Sequence, residues 1–206
     1  YGCTSLTNVT IPDSVISIWG GAFSGCTSLT SVMIPNSVTS IGGGAFHNCT
    51  SLASVTTPEG VTSIGDEAFR GCTSLTAITV DTNNSAYSSL DGVLFDKSQT
   101  TLTLCPEGKV GNYTIPSSVT SIGSEAFYGC SSLIGITIGT NVTSIERDAF
   151  YGCTSLTNVT IPASVISIWG GAFSGCTNLT TMTVDTNNPV FSSVGGVVFN
   201  KSQTTL

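Results

Sequence analysis

Cysteine has the widest choice of chemistry in this chain, because a thiol can form a disulfide, ligate a metal or act as a nucleophile. The 206 residues include eight cysteines. Seven recur every 23 residues on either side of one break, at Cys3, Cys26, Cys49, Cys72, Cys130, Cys153 and Cys176. Self-similarity at a fixed interval of this length is typical of a solenoid, in which each coil buries its apolar face against its neighbours.

A stack of coils limits what those cysteines can do. Cysteines in register on adjacent coils have parallel side chains, which do not suit the near-perpendicular torsion of a disulfide. The sequence has no Cys-x-x-Cys pair and only one histidine, so it does not predict a metal site. We therefore predict buried, reduced thiols that pack as small apolar side chains. Cys105, which lies off the 23-residue interval and precedes Pro106, is predicted to be the most exposed.

The single histidine, His47, lies two residues before Cys49 and suggests a thiol and imidazole pair. The equivalent positions of other repeats hold unrelated side chains, which indicates a tolerant site that faces solvent: Ser24, Arg70, Tyr128 and Tyr151. Because the repeat buries Cys49, we predict no nucleophile there. The sequence also lacks a phosphate-binding loop and a paired general base, so we predict no catalytic residue and no enzyme.

Acidic side chains gather just before the Ala-Phe pair of the middle repeats: Asp66, Glu67, Glu125, Glu146 and Asp148. Carboxylates are favourable at the N-terminus of a short helix, so we interpret this group as a solvated acidic edge. A weak calcium or other cation site is the alternative interpretation. We predict no bound metal and no cofactor.

One repeat, CTSLTNVTIPDSVISIWGGAFSG, predicts its own backbone structure segment by segment. Leu6–Ile11 alternates β-branched with polar residues, which is typical of a strand, and Pro12 ends it. Val15–Ile18 predicts a second short strand on the opposite side of the coil. After a turn at Gly20-Gly21, the pair Ala22-Phe23 predicts one turn of helix or 3₁₀ helix.

The predicted fold class is a mainly β repeat solenoid, a right-handed superhelix with a parallel β-sheet and short 3₁₀ or helical turns. The repeated phenylalanine is expected to form one buried column: Phe23, Phe46, Phe69, Phe127, Phe150 and Phe173. The strands predicted for the parallel sheet are Leu6–Ile11, Leu29–Ile34, Leu75–Val80, Leu133–Ile138, Leu156–Ile161 and Leu179–Val184.

A different unit fills the break between Cys72 and Cys130. Residues 81–116 place turn-rich stretches beside apolar runs, and residues 185–206 repeat the beginning of that unit, so we predict a β-hairpin in each. Residues 1–30 and 151–180 differ only at Asp13/Ala163 and Ser28/Asn178, which indicates duplication of multi-coil blocks. We interpret residues 1–206 as a single array. Because the chain starts and stops within repeats, we expect it to be a fragment of a longer protein.

The strand that opens each coil presents an uncharged surface rich in hydroxyl groups. Where Val9 and Ile11 point inward, Asn8 and Thr10 point outward, and equivalent residues of successive coils align. β-Propensity and solubility alone would also select such a surface. We predict that a ligand binds here, with Met33 as the only large apolar feature: Asn8, Thr10, Ser31, Met33, Ser54, Thr56, Thr79, Thr137, Asn158, Thr160, Thr181 and Thr183. The secondary candidates lie at a turn position that other repeats give to glycine: Trp19 and Trp169.

Composition limits the classes of partner. The formal net charge is −7 and only five basic residues are scattered along the chain, so no basic surface is predicted for nucleic acid. Although 8% of the residues are charged, 40% are hydrophobic and regularly spaced, which predicts a folded protein rather than a linker. No apolar run approaches the roughly 20 residues that span a bilayer, so we predict no membrane insertion by this chain.

The repeat pattern L-x-x-V-x-I-P, followed by S-V-x-S-I, A-F and C at fixed offsets, resembles the BspA-like leucine-rich repeat family, a bacterial and protozoan class of 23-residue repeats. The segment from DGVLF to YTIP resembles the variant repeat that accompanies it. The resemblance implies a leucine-rich-repeat superhelix in a cell-surface or secreted protein that adheres to host or neighbouring-cell components. Ser14 and Ser37 depart from the general leucine-rich consensus, which has Asn or Cys after the strand.

These features together predict a non-catalytic binding or adhesion solenoid that recognises protein or glycan on a host or neighbouring cell. A passive stalk that projects another module is the alternative, which the near-identical blocks favour. Ice binding through the threonine column is a remote alternative, since Met33, Ala77 and Gly135 interrupt that column. The sequence does not predict an oligomeric state.

Overall fold

The computed structural model describes residues 1–205, and within them every regular element is a short β-strand. The strands belong to a β-solenoid of about eight turns with parallel sheets, which confirms the predicted class of repeat fold. The chain divides into two compact units: unit 1 is Tyr1–Ser98 with Cys105–Lys109, and unit 2 is Gln99–Leu104 with the chain from Val110 onward. That residues 1–206 form one continuous array stays a prediction.

Unit 1 contains nine strands: β1 (Asn8–Thr10), β2 (Ser17–Ile18), β3 (Ser31–Met33), β4 (Ser40–Ile41), β5 (Ser54–Thr57), β6 (Ser63–Ile64), β7 (Ala77–Val80), β8 (Tyr87–Leu90) and β9 (Val93–Asp96). The first parallel sheet has the order β1-β3-β5-β7, and the second has the order β2-β4-β6. Each residue pairs with the one 23 positions later, as Val9 does with Val32. Strands β8 and β9 form an antiparallel hairpin.

Unit 2 contains ten strands: β10 (Thr101–Leu104), β11 (Gly111–Thr114), β12 (Ser121–Ile122), β13 (Leu133–Thr137), β14 (Ser144–Ile145), β15 (Asn158–Ile161), β16 (Ser167–Ile168), β17 (Thr181–Val184), β18 (Phe191–Val194) and β19 (Val197–Asn200). Strands β16, β14, β12 and β10 are neighbours in that order, and β11 pairs with β13 as β15 does with β17. All these pairs are parallel. The hairpin β18–β19 is antiparallel.

The strands that open the coils are shorter than the sequence predicts. We expected them to begin at the leucine of each repeat, but all except β13 and β11 begin two residues after it. The N–H of Leu29 donates to the carbonyl of Cys26, and that of Leu52 donates to Cys49, each at 3.0 Å. In these coils the leucine therefore closes a turn that starts at the cysteine and does not join the sheet, whereas Leu133 is the first residue of β13.

The predicted helical or 3₁₀ turn at Ala-Phe is wrong, because this segment forms only hydrogen-bonded turns within residues 1–205. The N–H of Ala22 donates back to Trp19 O at 3.1 Å, but the N–H of Phe23 donates to Ala45 O of the next coil at 2.8 Å. A backbone donor committed to the neighbouring coil cannot extend a helix. The described residues thus include no helix long and apolar enough to cross a membrane.

The phenylalanines stack within each unit, as predicted. In unit 1 the ring of Phe46 lies between those of Phe23 and Phe69, with centroids 5.2 and 5.4 Å apart. The equivalent rings of unit 2 have centroid distances of 4.8 and 5.1 Å: Phe127, Phe150 and Phe173. The middle ring of each stack is fully buried, so the column forms the centre of each apolar core.

Candidate functional site

The outward surface of the first sheet of unit 1 holds seven of the predicted site residues. Alternation along the strands buries Val32 and Val55 and exposes the residues on either side of them. Strand pairing places Asn8 beside Ser31 and Thr10 beside Met33. The exposed residues that line this surface are Asn8, Thr10, Ser31, Met33, Ser54, Thr56 and Thr79.

Unit 2 holds the other five predicted residues, and all are exposed: Thr137, Asn158, Thr160, Thr181 and Thr183. Strand pairing brings Asn158 beside Thr181 and Thr160 beside Thr183, while Thr137 pairs with Thr114 on β11. We call the twelve residues of both units the hydroxyl face. It consists of one group on each unit.

Neighbouring threonines of the hydroxyl face hydrogen-bond to each other. The Oγ1 atoms of Thr56 and Thr79 are 3.1 Å apart, and those of Thr160 and Thr183 are 2.9 Å apart. Thr79 Oγ1 also donates to Val55 O at 3.4 Å, so the Thr56 and Thr79 pair offers a ligand mainly acceptor lone pairs. The contact between Thr160 and Thr183 uses one hydroxyl hydrogen, which leaves that pair a second donor. The twelve side chains carry no charge and no titrating group, so the face suits neutral hydrogen-bonding partners and cannot perform acid or base catalysis.

Sequence reasoning missed three exposed residues on the strands of unit 2. Asn112 and Thr114 are exposed on β11, where they pair with Gly135 and Thr137. Both residues follow the break in the 23-residue interval. The sequence signal that could have identified them is the Tyr-Thr-Ile-Pro run at residues 113–116, whose first two residues end β11. Ile134 on β13 is 54% exposed, so Met33, which is 81% exposed, is not the only large apolar side chain available along these strands.

The two tryptophans lie away from the hydroxyl face, directly after β2 and β16. Trp19 is 80% exposed and Trp169 is 57% exposed. At Gly42, the equivalent position of the next coil, an added Cβ would lie 2.4 Å from the backbone N of Gly20. Glycine is required at that position by the close approach of adjacent backbones, and both indoles remain available to solvent.

The repeated cysteines are reduced, and all except Cys3 are buried, which largely confirms their predicted role. Their S–H groups donate to phenylalanine carbonyls of the preceding coil: Cys49 to Phe23 O at 3.1 Å and Cys72 to Phe46 O at 3.1 Å. The adjacent Cys49 thiol and burial both raise the pKa of Cys72. A thiol that resists ionisation is a poor nucleophile, so Cys72 acts in packing. A hydrogen bond from the neighbouring cysteine lowers the pKa of Cys49 and of Cys176, but both thiols are buried.

Two expectations about isolated side chains are wrong. Cys105 is only 2% exposed, because it belongs to a segment that folds back onto unit 1. Cys3, on the first described coil, is the exposed cysteine instead. His47 does not project fully into solvent but is half-buried, and its carbonyl accepts the N–H of Gly25 at 2.8 Å.

The acidic residues before Ala-Phe lie at a turn with left-handed backbone geometry. Glu67, Glu125 and Asp148 have φ of 56°, 57° and 53°, at the position that other coils give to glycine. Glu67 is paired with Arg70, and no helix N-terminus exists at this turn, so the predicted helix-dipole role is wrong. Within residues 1–205, no three or more His, Cys, Asp and Glu side chains come together in a way that could hold a metal ion.

Comparison with solved structures identifies similar chains from bacteria. A leucine-rich repeat protein from Eubacterium ventriosum has 32% identity and a TM-score of 0.77 over 89% of this chain and 55% of its own. The pneumococcal vaccine antigen PcpA has 25% identity and a TM-score of 0.69 over 89% of this chain and 52% of its own. A leucine-rich cell surface protein from Faecalibacterium prausnitzii has 30% identity and a TM-score of 0.61 over 89% and 61%.

The chain therefore spans little more than half the length of these similar proteins. No curated protein matches the sequence significantly. The profile described as a BspA type leucine rich repeat region, with six copies, matches residues 1–104 and 104–205. A match over essentially the whole sequence, together with coils that pair at intervals of 23 residues, shows that the chain belongs to the BspA-type leucine-rich repeat family.

Proposed function

We propose that this chain is a non-catalytic binding or adhesion segment of a cell-surface or secreted protein, and that it recognises protein or glycan through the hydroxyl face. The observation that carries the proposal is the alignment of exposed, uncharged Asn, Ser and Thr side chains on paired strands. Such a surface offers many weak, neutral hydrogen bonds at a spacing of about 4.8 Å between strands. It suits an extended ligand better than a small substrate.

The chemistry elsewhere in the molecule supports a non-catalytic role. The repeated thiols are occupied in packing, and the acidic side chains at the turns are spread over successive coils. Leucine-rich repeat proteins of this family are generally non-catalytic. An enzyme would need a nucleophile, a base and a pocket in mutual reach, and the hydroxyl face supplies none of these.

Surface or secreted localisation is supported by similar proteins. One of them is described as a cell surface protein and another as a vaccine antigen. We extend that location, and a bacterial origin, to this chain as part of the proposal. The proposed partners are therefore proteins or glycans on a host or neighbouring cell, without insertion of this chain into a membrane.

The test is direct binding of the purified chain to immobilised extracellular-matrix proteins and to an array of neutral glycans. The variant Thr137→Lys/Thr160→Lys introduces two charges into the hydroxyl face without altering the core, since both side chains are exposed. We expect affinity to fall at least about tenfold, which corresponds to about 1.4 kcal/mol. Retained affinity in this variant would contradict the proposed face.

A matched control makes the same chemical change elsewhere in unit 2. Thr120→Lys/Thr143→Lys alters two exposed threonines beside the second sheet, on the other side of the coil. Binding through the hydroxyl face predicts no effect of this variant. If Trp19→Ala or Trp169→Ala abolishes binding while Thr137→Lys/Thr160→Lys does not, the tryptophan turns are the functional surface.

A passive stalk is the second candidate, favoured by the near identity of residues 1–30 and 151–180. Recognition surfaces usually differ from coil to coil, whereas a spacer needs only length. A stalk predicts that the chain binds nothing in the arrays above. It also predicts that adding or removing one multi-coil block in the full protein changes reach but not specificity.

A further inference from the structure

The loops that lead into the two hairpins share a sequence and a backbone contact. Each loop follows strand β7 or β17 and begins Asp-Thr-Asn-Asn, at residues 81–84 in unit 1 and 185–188 in unit 2. In both loops the aspartate carboxylate accepts the N–H of the residue two positions later, at 2.8 Å. The loops diverge at the next position, which is Ser85 in unit 1 and Pro189 in unit 2.

The two adjacent asparagines of the unit 1 loop have opposite environments. Asn84 is buried, and its side-chain nitrogen donates to the carbonyls of Pro58 and Val61 at 2.8 Å each. Asn83 is exposed, and no hydrogen bond joins its carboxamide to another of residues 1–205. Asn84 therefore holds the fold together, whereas the Nδ2 atom of Asn83 faces solvent.

Asn83 is the first residue of an Asn-Asn-Ser triplet. Asparagine, any residue except proline, and then serine or threonine is the acceptor pattern for N-linked glycosylation. The third residue carries a hydroxyl group because the transferring enzyme recognises it by hydrogen bonding. Ser85 is exposed and supplies that hydroxyl group. Asn84 does not begin such a triplet, since Ala86 stands two residues after it.

Asp81, two residues before Asn83, separates this triplet from the others in the chain. Bacterial oligosaccharyltransferases select acceptors that have Asp or Glu at this position, because the enzyme contacts the carboxylate. Seven further Asn-x-Ser/Thr triplets occur in the chain, and none has an acidic residue there. Two of those triplets begin at Asn8 and Asn158, in strands that pair within a parallel sheet. The triplet at Asn83 instead lies in the exposed loop between β7 and β8.

We propose that Asn83 is an acceptor site for an N-linked glycan, transferred by a membrane-bound oligosaccharyltransferase from a polyprenyl-diphosphate oligosaccharide. A bond forms between Asn83 Nδ2 and the anomeric carbon of the first sugar, and the bond from that carbon to the diphosphate oxygen breaks. The diphosphate leaves with the bonding electron pair, and Nδ2 gives up one proton to solvent. The proposal rests on the surface or secreted location proposed above, because these enzymes act on exported proteins.

A glycan on Asn83 is compatible with the fold and with the hydroxyl face. The modified side chain is exposed, and the bond from its backbone N–H to Asp81 does not involve Nδ2. The four hydrogen bonds of Asn84 are also unaffected, because they belong to the neighbouring residue. Asn83 follows strand β7, whose residue on the hydroxyl face is Thr79, and lies outside the paired strands.

Glycan transfer to the purified, folded chain tests the proposal. A single-subunit bacterial oligosaccharyltransferase is supplied with a polyprenyl-diphosphate oligosaccharide, and mass spectrometry of proteolytic peptides locates the added sugar. The peptide that contains Asn83 should gain one glycan, and the peptide that contains Asn187 should gain none. Asn83→Gln should abolish the gain in mass, whereas Ser85→Thr should retain it because threonine keeps the hydroxyl group.

The two loops provide a matched exchange of residues. Ser85→Pro gives the unit 1 loop the residue of unit 2 and should abolish transfer, while Pro189→Ser completes a triplet at Asn187 and should add a second site. Each substitution occurs naturally in the other loop, so circular dichroism should show that both variants fold. Asp81→Asn keeps an oxygen that can accept the N–H of Asn83 but removes the charge, so the rate of transfer should fall by about tenfold.

Protein recovered from the surface of the cell that produces it should carry the glycan on Asn83 and none on Asn187. The proposal is overturned if that Asn83 is unmodified, if the folded chain is not an acceptor in the reconstituted reaction, or if Ser85→Pro is modified as well as wild type. Transfer to Asn8 or Asn158 in place of Asn83 also overturns it. Binding through the hydroxyl face is measured on unmodified chain, so the two proposals can fail separately.

Discussion

Regular coils and hairpin segments satisfy the same turn carbonyl with different side chains. In a regular coil of unit 1, Ser37 Oγ donates to Val15 O of the preceding coil at 2.7 Å. Where the hairpin segment follows, Asn84 Nδ2 donates to Val61 O, and also to Pro58 O, at 2.8 Å each. A short hydroxyl makes one bond here, whereas the longer amide makes two.

Asn84 also fixes the start of the hairpin, because its Oδ1 accepts the N–H groups of Ala86 and Tyr87 at 2.9 and 2.8 Å. This buried amide therefore makes four hydrogen bonds, which is its full capacity. Asn188 repeats all four in unit 2, at 2.7 to 2.9 Å. Regular coils distribute their attachment over many backbone bonds and packed rings, while each hairpin concentrates much of it in one asparagine.

Removing a ring from the middle of a regular stack should have the largest effect on stability. Phe46 is fully buried between two other rings, so Phe46→Ala should lower the free energy of unfolding by about 4 kcal/mol. Chemical denaturation followed by circular dichroism measures the change. Phe23→Ala is the matched control, because Phe23 is half-buried and should lose only about 2 kcal/mol. Equal losses would mean that burial in the stack does not set the contribution of a ring.

Removing the asparagine should have the next largest effect and should be concentrated in the hairpin. Asn84→Ala leaves two carbonyls and two N–H groups without their partner, which should cost about 3 kcal/mol. Hydrogen exchange should show that protection is lost first in β8 and β9. Asn83→Ala changes the exposed asparagine beside it and should alter stability by less than about 0.5 kcal/mol. A similar loss in both variants would remove the distinction between coils and hairpins.

The sequence predicted those features that depend on period and alternation. An interval of 23 residues predicted which valines pair, and alternation along the strand predicted that Asn8 and Thr10 would be exposed. The features that the sequence did not predict depend on contacts between segments that are far apart in the chain. Nothing local distinguishes buried Asn84 from exposed Asn83, although the motif Asp-Thr-Asn-Asn before both hairpins was an available signal.

Contacts between coils also overturned local propensity. Ala22-Phe23 has a pattern compatible with one helical turn, but the N–H of Phe23 is committed to the next coil. Cys105 precedes a proline and resembles a loop residue, yet it is buried, because the segment Cys105–Lys109 belongs to unit 1. The outward residues of β11 were missed because they follow the break, where the period gives no register.

The smallest expected effect concerns the left-handed turn that coils give to glycine or to an acid. Gly44 has φ of +60°, and an added Cβ would meet only His47 Cβ, at an ordinary 3.7 Å. Gly44→Ala therefore tests backbone strain without a steric clash. Alanine strains the left-handed backbone but also restricts the unfolded chain, which favours folding, so the net loss of stability should be about 1 kcal/mol.

Glu67→Gly makes the reverse change in the next coil, where φ is 56°. Glycine relieves the backbone strain of the positive φ, but it also has more freedom in the unfolded chain, and the surface ion pair with Arg70 is lost. These effects oppose each other, so we expect the free energy of unfolding to stay within about 0.5 kcal/mol of wild type. Denaturation midpoints of both variants check this. A neutral Gly44→Ala together with a strongly destabilised Glu67→Gly would show that the carboxylate itself holds the turn, and the acidic edge would then be structural in the coils that carry it.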